Sequence, residues 1–341
     1  MHILARTFVL SLVLLVALVA VVAQQRVEDS PPTLPGQMVD IGGYRLHLYC
    51  TGQGSPTVIF ENGLGDIFAD WALVQPGVAQ FTRACSYDRA YEGYSDAGPI
   101  PITMHQQAFE LHLLLQNAKL PPPYILVGHS YGGMLARLFA MTYPDDVAGL
   151  VLVDSLHEDT PMGSTMFRSR ATGKPVPPPQ TMQSSPSVPL TPDEQARFDS
   201  RKKQLEAEAG APVSPPLDRL PPEALRLRAW ALAHPKWESG AKGLPEIWLP
   251  EELQQIHDAR VGKVHPFGNL PVVVIGTTRD NPTSLEERRR QLDDMASLSS
   301  NSKVVIDSNS GHHVQWDDPT FVVESVRQDY EAAKNHRTLV R

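Results

Sequence analysis

The chain has 341 residues, 42% hydrophobic and 20% charged, a globular balance large enough for one α/β domain or a core with a smaller insertion. Its formal net charge of -8 argues against nucleic acid as the natural partner, because holding phosphates needs a basic surface. Thirty-one prolines fall in clusters, which marks loops and an irregular insertion rather than a proline-rich fold.

Residues 1–26 stand apart from the fold. Arg6 precedes an uncharged, Leu- and Val-rich run over residues 7–23, closed by the small-residue site Val21-Val22-Ala23. That pattern reads as an export signal, or as an uncleaved anchor at the short end of what spans a bilayer. Either way the rest of the chain is expected outside the cytoplasm: periplasmic, secreted, or membrane-attached through residues 7–23 and facing outward. Residues 27–37 are polar and hold Pro31, Pro32 and Pro35, a linker.

From Met38 the pattern changes. Met38–Ile41 and Tyr44–Tyr49 flank Gly42-Gly43 and predict a β-hairpin. Thr57–Phe60 is a short apolar strand followed by Asn62-Gly63-Leu64-Gly65, and Ala84–Tyr87 is another strand. Thr103–Ala118 has helical spacing and is stopped by Pro121-Pro122-Pro123. Tyr124–Val127, Gly149–Val153, Leu270–Ile275 and Lys303–Ile306 are continuous apolar runs, and Met134–Met141 is a helix after the first of them. Strands of this kind alternating with helices predict a mostly parallel sheet, buried on both faces.

No convincing strand lies between Val153 and Leu270. Amphipathic stretches at 193–209, 221–234 and 250–259 make this segment a mainly helical insertion, since a structureless loop of that length is rare in a compact domain. The expected plan is therefore a core of residues 38–156 and 266–335 with a cap over 157–265. Trp230, Trp237 and Trp248 fall in the cap and either line a pocket or form the cap's own core. Glu286-Glu287-Arg288-Arg289-Arg290 reads as a solvated helix face.

The two cysteines, Cys50 and Cys85, end or occupy two of the predicted strands. They form a disulfide if those strands are neighbours, and are otherwise buried thiols; export favours the bond. The chain has no H-E-x-x-H, too few cysteines for a zinc site, and no dinucleotide fingerprint after its first strand, so no metal or cofactor is expected.

Gly128-His129-Ser130-Tyr131-Gly132-Gly133 matches G-x-S-x-G, with a strand before it and a helix after it. The chain must turn sharply there, and side chains at the flanking positions would strike neighbouring backbone. A serine at a helix N-terminus has free N–H groups beside it, and the Tyr131 amide is placed to hold an oxyanion. His129 is expected to pack beneath the turn.

These residues resemble the α/β-hydrolase fold family, in its serine-hydrolase branch. Ser86-Tyr87-Asp88-Arg89 with Gly93-Tyr94-Ser95-Asp96 is similar to the family's DR-x-G-x-G-x-SD segment, and Asn62-Gly63 to its His-Gly after the third strand. Ser310-Gly311-His312 with Asp317-Asp318-Pro319 is similar to its GH…D-x-P close. The resemblance covers about residues 38–155 and 265–330 and says nothing of the cap. It implies that the strands carrying Cys50 and Cys85 are side by side.

It also implies a set of roles. Ser130 is the nucleophile and His312 the base, with His313 a neighbour at the rim. The acid is Asp154, at the end of Gly149–Val153, or Asp280, after Leu270–Ile275; the two are near equals, with Asp154 slightly preferred. The second oxyanion donor is the Leu64 amide. Two departures stand out: Glu61-Asn62 where the family often has a hydrophobic residue and His, and Tyr91-Glu92 where it has Gly near position 91. The implied reaction is acyl transfer on a small-molecule ester or amide, a carboxylic ester first. Lactonase, aminopeptidase and C–C hydrolase activities on the same residues are alternatives, as is a binding protein that kept the fold. Epoxide hydrolases and haloalkane dehalogenases of the family use Asp at the elbow, where this chain has Ser130.

Overall fold

The computed structural model describes residues 32–99, 102–158, 212–234, 249–279 and 285–339, with residues 192, 196, 199, 200, 203 and 207. The 7–23 run, Asp280, Trp237 and Trp248 lie outside the described residues. Among the described residues no helix is long and apolar enough to cross a membrane.

One eight-stranded sheet organises the described residues, in the order β1-β2-β4-β3-β5-β6-β7-β8. β1 (Gln37–Asp40) and β2 (Arg45–Thr51) form the expected hairpin, and β2 runs antiparallel to β4 (Ala84–Tyr87). The hairpin turn is closed by Asp40, whose Oδ1 accepts from Gly42 N at 2.8 Å and Gly43 N at 3.1 Å. From β4 onward the neighbours are parallel: β3 (Thr57–Glu61), β5 (Tyr124–His129), β6 (Val147–Val153), β7 (Val272–Thr277) and β8 (Ser302–Asp307).

The continuous apolar runs follow from burial on both faces. Ile59, Leu126, Leu150, Leu152, Val272 and Val274 face one core, which also holds Met104 and Leu114 of the Met104–Asn117 helix and Leu135 and Phe139 of the Tyr131–Thr142 helix. Val58, Phe60, Ile125, Val127, Val151, Val153, Val273 and Ile275 face the other, against Val322, Val326 and Tyr330 of the Pro319–Asn335 helix. Successive side chains of a strand point to opposite faces, so a strand covered on both sides has no polar position to spare.

Cys50 and Cys85 are directly opposed across β2 and β4 and are joined by a disulfide, with Cα atoms 4.0 Å apart.

Between β6 and β7 the Pro222–Ala233 and Leu249–Arg260 helices lie against the core, and residues 192, 196, 199, 200, 203 and 207 are also helical. Buried polar contacts fasten them. Glu252 accepts from Met104 N at 2.6 Å and His105 N at 3.0 Å, the orphan amides at the start of the Met104–Asn117 helix. Arg228 pairs with Asp70 at 2.6 Å, and Tyr94 Oη donates to Leu227 O at 3.0 Å. Arg260 meets Glu158 and Asp294, and Glu158 also pairs with Arg137 at 2.8 Å. Trp230 stacks on Tyr94, with ring centroids 5.4 Å apart.

Candidate active site

Four loops gather where the parallel strands end at their carboxyl edge, the general place for sites on open α/β sheets. β5 runs straight into Ser130, which has φ 51° and ψ −118° before the Tyr131–Thr142 helix begins. A non-glycine residue in that conformation is strained and persists only where its surroundings fix it. They do: Ser130 N donates to Val153 O at 3.1 Å, while Gly133 N and Leu156 N donate to Ser130 O at 3.1 and 3.0 Å. The flanking glycines are spatial necessities. A Cβ at Gly128 would lie 2.4 Å from Gly132 O, and one at Gly132 would lie 2.3 Å from Glu61 O.

Asp154 follows β6 directly, and His312 sits in the loop after β8. His312 Nδ1 and Asp154 Oδ2 are 2.6 Å apart, across a sequence separation of 158 residues. The other carboxylate oxygen is saturated: Asp154 Oδ1 accepts from Thr277 N at 3.3 Å, Thr277 Oγ1 at 3.2 Å and Arg288 Nη2 at 2.5 Å. Burial by itself would raise the Asp154 pKa; the His312 hydrogen bond and the Arg288 charge outweigh it and hold the carboxyl below its ordinary range. The His312 side chain is 48% exposed and Asp154 only 4%, so the ring reaches out from a buried anchor.

Arg288 overturns one sequence expectation. The 286–290 run is not wholly a solvated face: Arg288 is buried, and its Nη1 also donates to Ser155 O at 3.3 Å. Arg289 and Arg290 are exposed, pairing with Asp293 and Glu287 on their own helix.

His129 lies beneath the turn and joins it to the His312 loop. Its Nδ1 is 3.0 Å from Asp66 Oδ2 and its Nε2 is 3.0 Å from His312 O. Both ring nitrogens are thus engaged, one by a carboxylate and one by a backbone carbonyl. The ionised form of Asp66 is favoured strongly: burial opposes it, but the His129 hydrogen bond and charge drive its pKa far down. His313 stacks on Trp316, centroids 3.9 Å apart, and burial pushes its pKa down to about 3. Among the described residues, Asp66, His129 and His313 form one cluster with metal-ligand atom types, their ligand atoms within 4.8 Å of one another. As arranged, both His129 nitrogens are already engaged within the protein.

Tyr131 N is the first amide of the helix after Ser130, and Leu64 lies in the loop after β3. Asn62, in that loop, is structural: Nδ2 donates to Tyr87 O at 2.6 Å and Oδ1 accepts from Trp71 Nε1 at 2.9 Å. The structure therefore brings Ser130, Tyr131, Leu64, Asp154 and His312 to one edge of the sheet. Sequence reasoning missed Asp66 and Arg288, and no motif marked either one.

A family model described as alpha/beta hydrolase fold matches residues 56–319. The uncharacterized protein YqjL of Bacillus subtilis is 24% identical over 273 residues, covering 80% of this chain and 82% of that protein. An uncharacterized vacuolar membrane protein of Saccharomyces cerevisiae is 31% identical over 134 residues, 34% of this chain. The matched region spans only 21% of that yeast protein's length. Among solved structures, a thermophilic esterase from Thermogutta terrifontis has a TM-score of 0.58 at 19% identity, with 88% of this chain and 99% of the esterase covered. Solved structures described as an epoxide hydrolase and an enol-lactonase share the fold at 17% identity each, so this likeness carries the fold and not the reaction.

Proposed function

The chain belongs to the alpha/beta hydrolase fold family, and from that premise we propose that it is a serine hydrolase cleaving a carboxylic ester through an acyl-enzyme on Ser130. The observation that carries the reading is the 2.6 Å contact between His312 Nδ1 and a buried, ionised Asp154, beside a strained Ser130 at a strand-to-helix turn. With Nδ1 committed to the carboxylate, His312 Nε2 is the nitrogen left to exchange a proton.

A serine hydroxyl is a poor nucleophile at neutral pH and needs that base. Ser130 Oγ attacks the ester carbonyl carbon as its proton passes to His312 Nε2. Asp154 holds the tautomer and stabilises the imidazolium. The negative charge formed on the carbonyl oxygen is met by the Tyr131 and Leu64 amides. The leaving alcohol takes the proton from His312. Water, deprotonated by the same ring, then releases the acid from Ser130. The esterase among the solved structures of like fold fits this reading. The residue at the elbow is Ser130, whose hydroxyl can carry the acyl group as an ester.

The proposal includes an exported enzyme, read from residues 7–23 and in keeping with the Cys50–Cys85 disulfide, a bond typical of oxidising compartments.

The test is fluorophosphonate labelling of the full chain against Ser130→Ala, with turnover of p-nitrophenyl esters of increasing acyl length. Labelling confined to the wild type, with turnover of some ester, supports the reading. A folded wild-type chain that neither labels nor turns over any ester overturns it and leaves a binding role.

A further inference from the structure

Both departures from the family pattern in the sequence, Glu61 and Glu92, converge on one side chain. Arg89, just after β4, is buried with 1% of its side chain exposed. Its Nη1 donates to Glu61 Oε1 at 2.7 Å and to Asn62 O at 2.6 Å. Its Nη2 donates to Gly63 O at 2.5 Å and lies 2.8 Å from Glu92 Oε2. The Glu61 and Glu92 side chains are 2% and 19% exposed. Tyr87 Oη also donates to Glu61, and the Arg89 guanidinium carbon is 5.4 Å from the Tyr131 ring centroid.

The consequence lies in the peptide group that the fork grips. Gly63 C=O and Leu64 N–H are the two ends of one peptide unit, and in a trans peptide they point in opposite directions. Anchoring the Gly63 carbonyl on a buried cation fixes the plane of that unit and turns the Leu64 N–H to its other side. A charged donor on the carbonyl also draws electron density toward the oxygen and makes the N–H at the far end a stronger donor. Two parallel donors from one planar group can hold the Asn62 and Gly63 carbonyls together; an ammonium is a point charge without that fork.

We propose that Arg89 is a positioning residue which aims and polarises the Gly63–Leu64 peptide as an oxyanion donor, with Glu61 and Glu92 as its counter-charges. This rests on the Ser130 reading above. A bare cation so close to the site would otherwise be an unpaired buried charge, which is severely costly. The two carboxylates that break the family pattern make the arrangement tolerable.

The experiment compares a trifluoromethyl ketone, which forms a tetrahedral oxyanion on Ser130, with ester turnover. It uses the full wild-type chain, Arg89→Lys and Glu92→Gln, each checked for folding by circular dichroism. Arg89→Lys is expected to bind the ketone about tenfold or more weakly and to lose kcat by a similar factor, with KM within about twofold. A purely structural defect would move KM and folding along with kcat. Burial pushes the Glu92 pKa up to about 7, so the comparison is made well above that pH, where Glu92→Gln keeps the fork and removes one counter-charge and its ketone affinity is expected to rise about two- to fivefold.

A folded Arg89→Lys chain with ketone affinity and kcat within about twofold of wild type overturns the inference. If Arg89→Lys does not fold, Glu92→Gln decides alone, and unchanged or weaker ketone binding counts against the inference. A wild-type chain that forms no ketone adduct on Ser130 sinks the Ser130 reading itself. A wild type that forms it beside an unaffected Arg89→Lys sinks only this inference.

Discussion

Asp154→Asn puts the proposed acid to its sharpest test, because the surrounding donors dictate how the amide must sit. Three donors converge on Asp154 Oδ1: Thr277 N, Thr277 Oγ1 and Arg288 Nη2. In the variant only the amide oxygen can occupy that position without setting N–H against N–H. The amide nitrogen then faces His312 Nδ1 and donates to it. The ring must answer as an acceptor at Nδ1, which moves its proton to Nε2. A ring protonated at Nε2 cannot take the Ser130 proton, so kcat is expected to fall about 10³- to 10⁴-fold with KM little changed. Stability falls less, by about 1–2 kcal/mol, as a charge-assisted bond to Arg288 becomes a neutral one. The assay is p-nitrophenyl ester turnover beside thermal unfolding. A folded variant within about tenfold of wild-type kcat would refute the reasoning, and Asp280→Asn would then be the variant expected to lose activity.

Two further outcomes concern the scaffold. Replacing Cys50 and Cys85 together by Ser removes a link spanning 35 residues, expected to cost about 3–4 kcal/mol in denaturant unfolding. Wild type unfolded under reductant should match the double variant, and a loss below about 1 kcal/mol would contradict the account. Asp329 is fully buried beside Gly149, where a Cβ would lie 1.8 Å from Asp329 Oδ1, and burial raises its pKa well above the ordinary value. A folded-state pKa above the unfolded one means that its share of stability is present below about pH 4 and lost as pH rises. Asp329→Asn should therefore gain about 1–3 kcal/mol at pH 7 and little near pH 4, read from unfolding at the two pH values. An equal effect at both would show that the carboxyl is not the buried acid described.

How much of this was legible in the sequence depends on how local each feature is. The turn at Ser130 is local: a strand, two glycines and a helix over a dozen residues, and its strain is visible in the residue types alone. Cys50 and Cys85 needed only the neighbouring of β2 and β4. The proposed acid is not a local feature. Asp154 and Asp280 each follow a strand, and the choice turned on which one His312 meets, a matter of where three loops end in space. Arg288 was harder still. It sits among six other charged residues on the Leu285–Ala296 helix, and only the packing of that helix on β7 and β8 separates its buried face from the exposed Arg289 and Arg290. Glu61 and Glu92 were visible as oddities, yet their common partner was not, because Arg89 looked like an ordinary motif residue.

Buried ionic contacts recur at every loop of the candidate site, and their role is better read as placement than as stability. Arg288 holds Asp154, His129 links Asp66 to the His312 loop, and Arg89 holds the Asn62 and Gly63 carbonyls. Hydrophobic residues of similar volume often stabilise as well or better, since desolvating two charges offsets most of their attraction. Such residues pack without preferred direction, however, whereas a guanidinium fork or a doubly bonded imidazole fixes its partner to a distance and an angle. The acyl transfer proposed for this site would need that kind of control, because an amide misdirected by a fraction of an ångström meets the substrate carbonyl and not the oxyanion. Removing any one tie should therefore reduce kcat more than it reduces stability, which is the pattern that the Asp154 and Arg89 variants are designed to reveal.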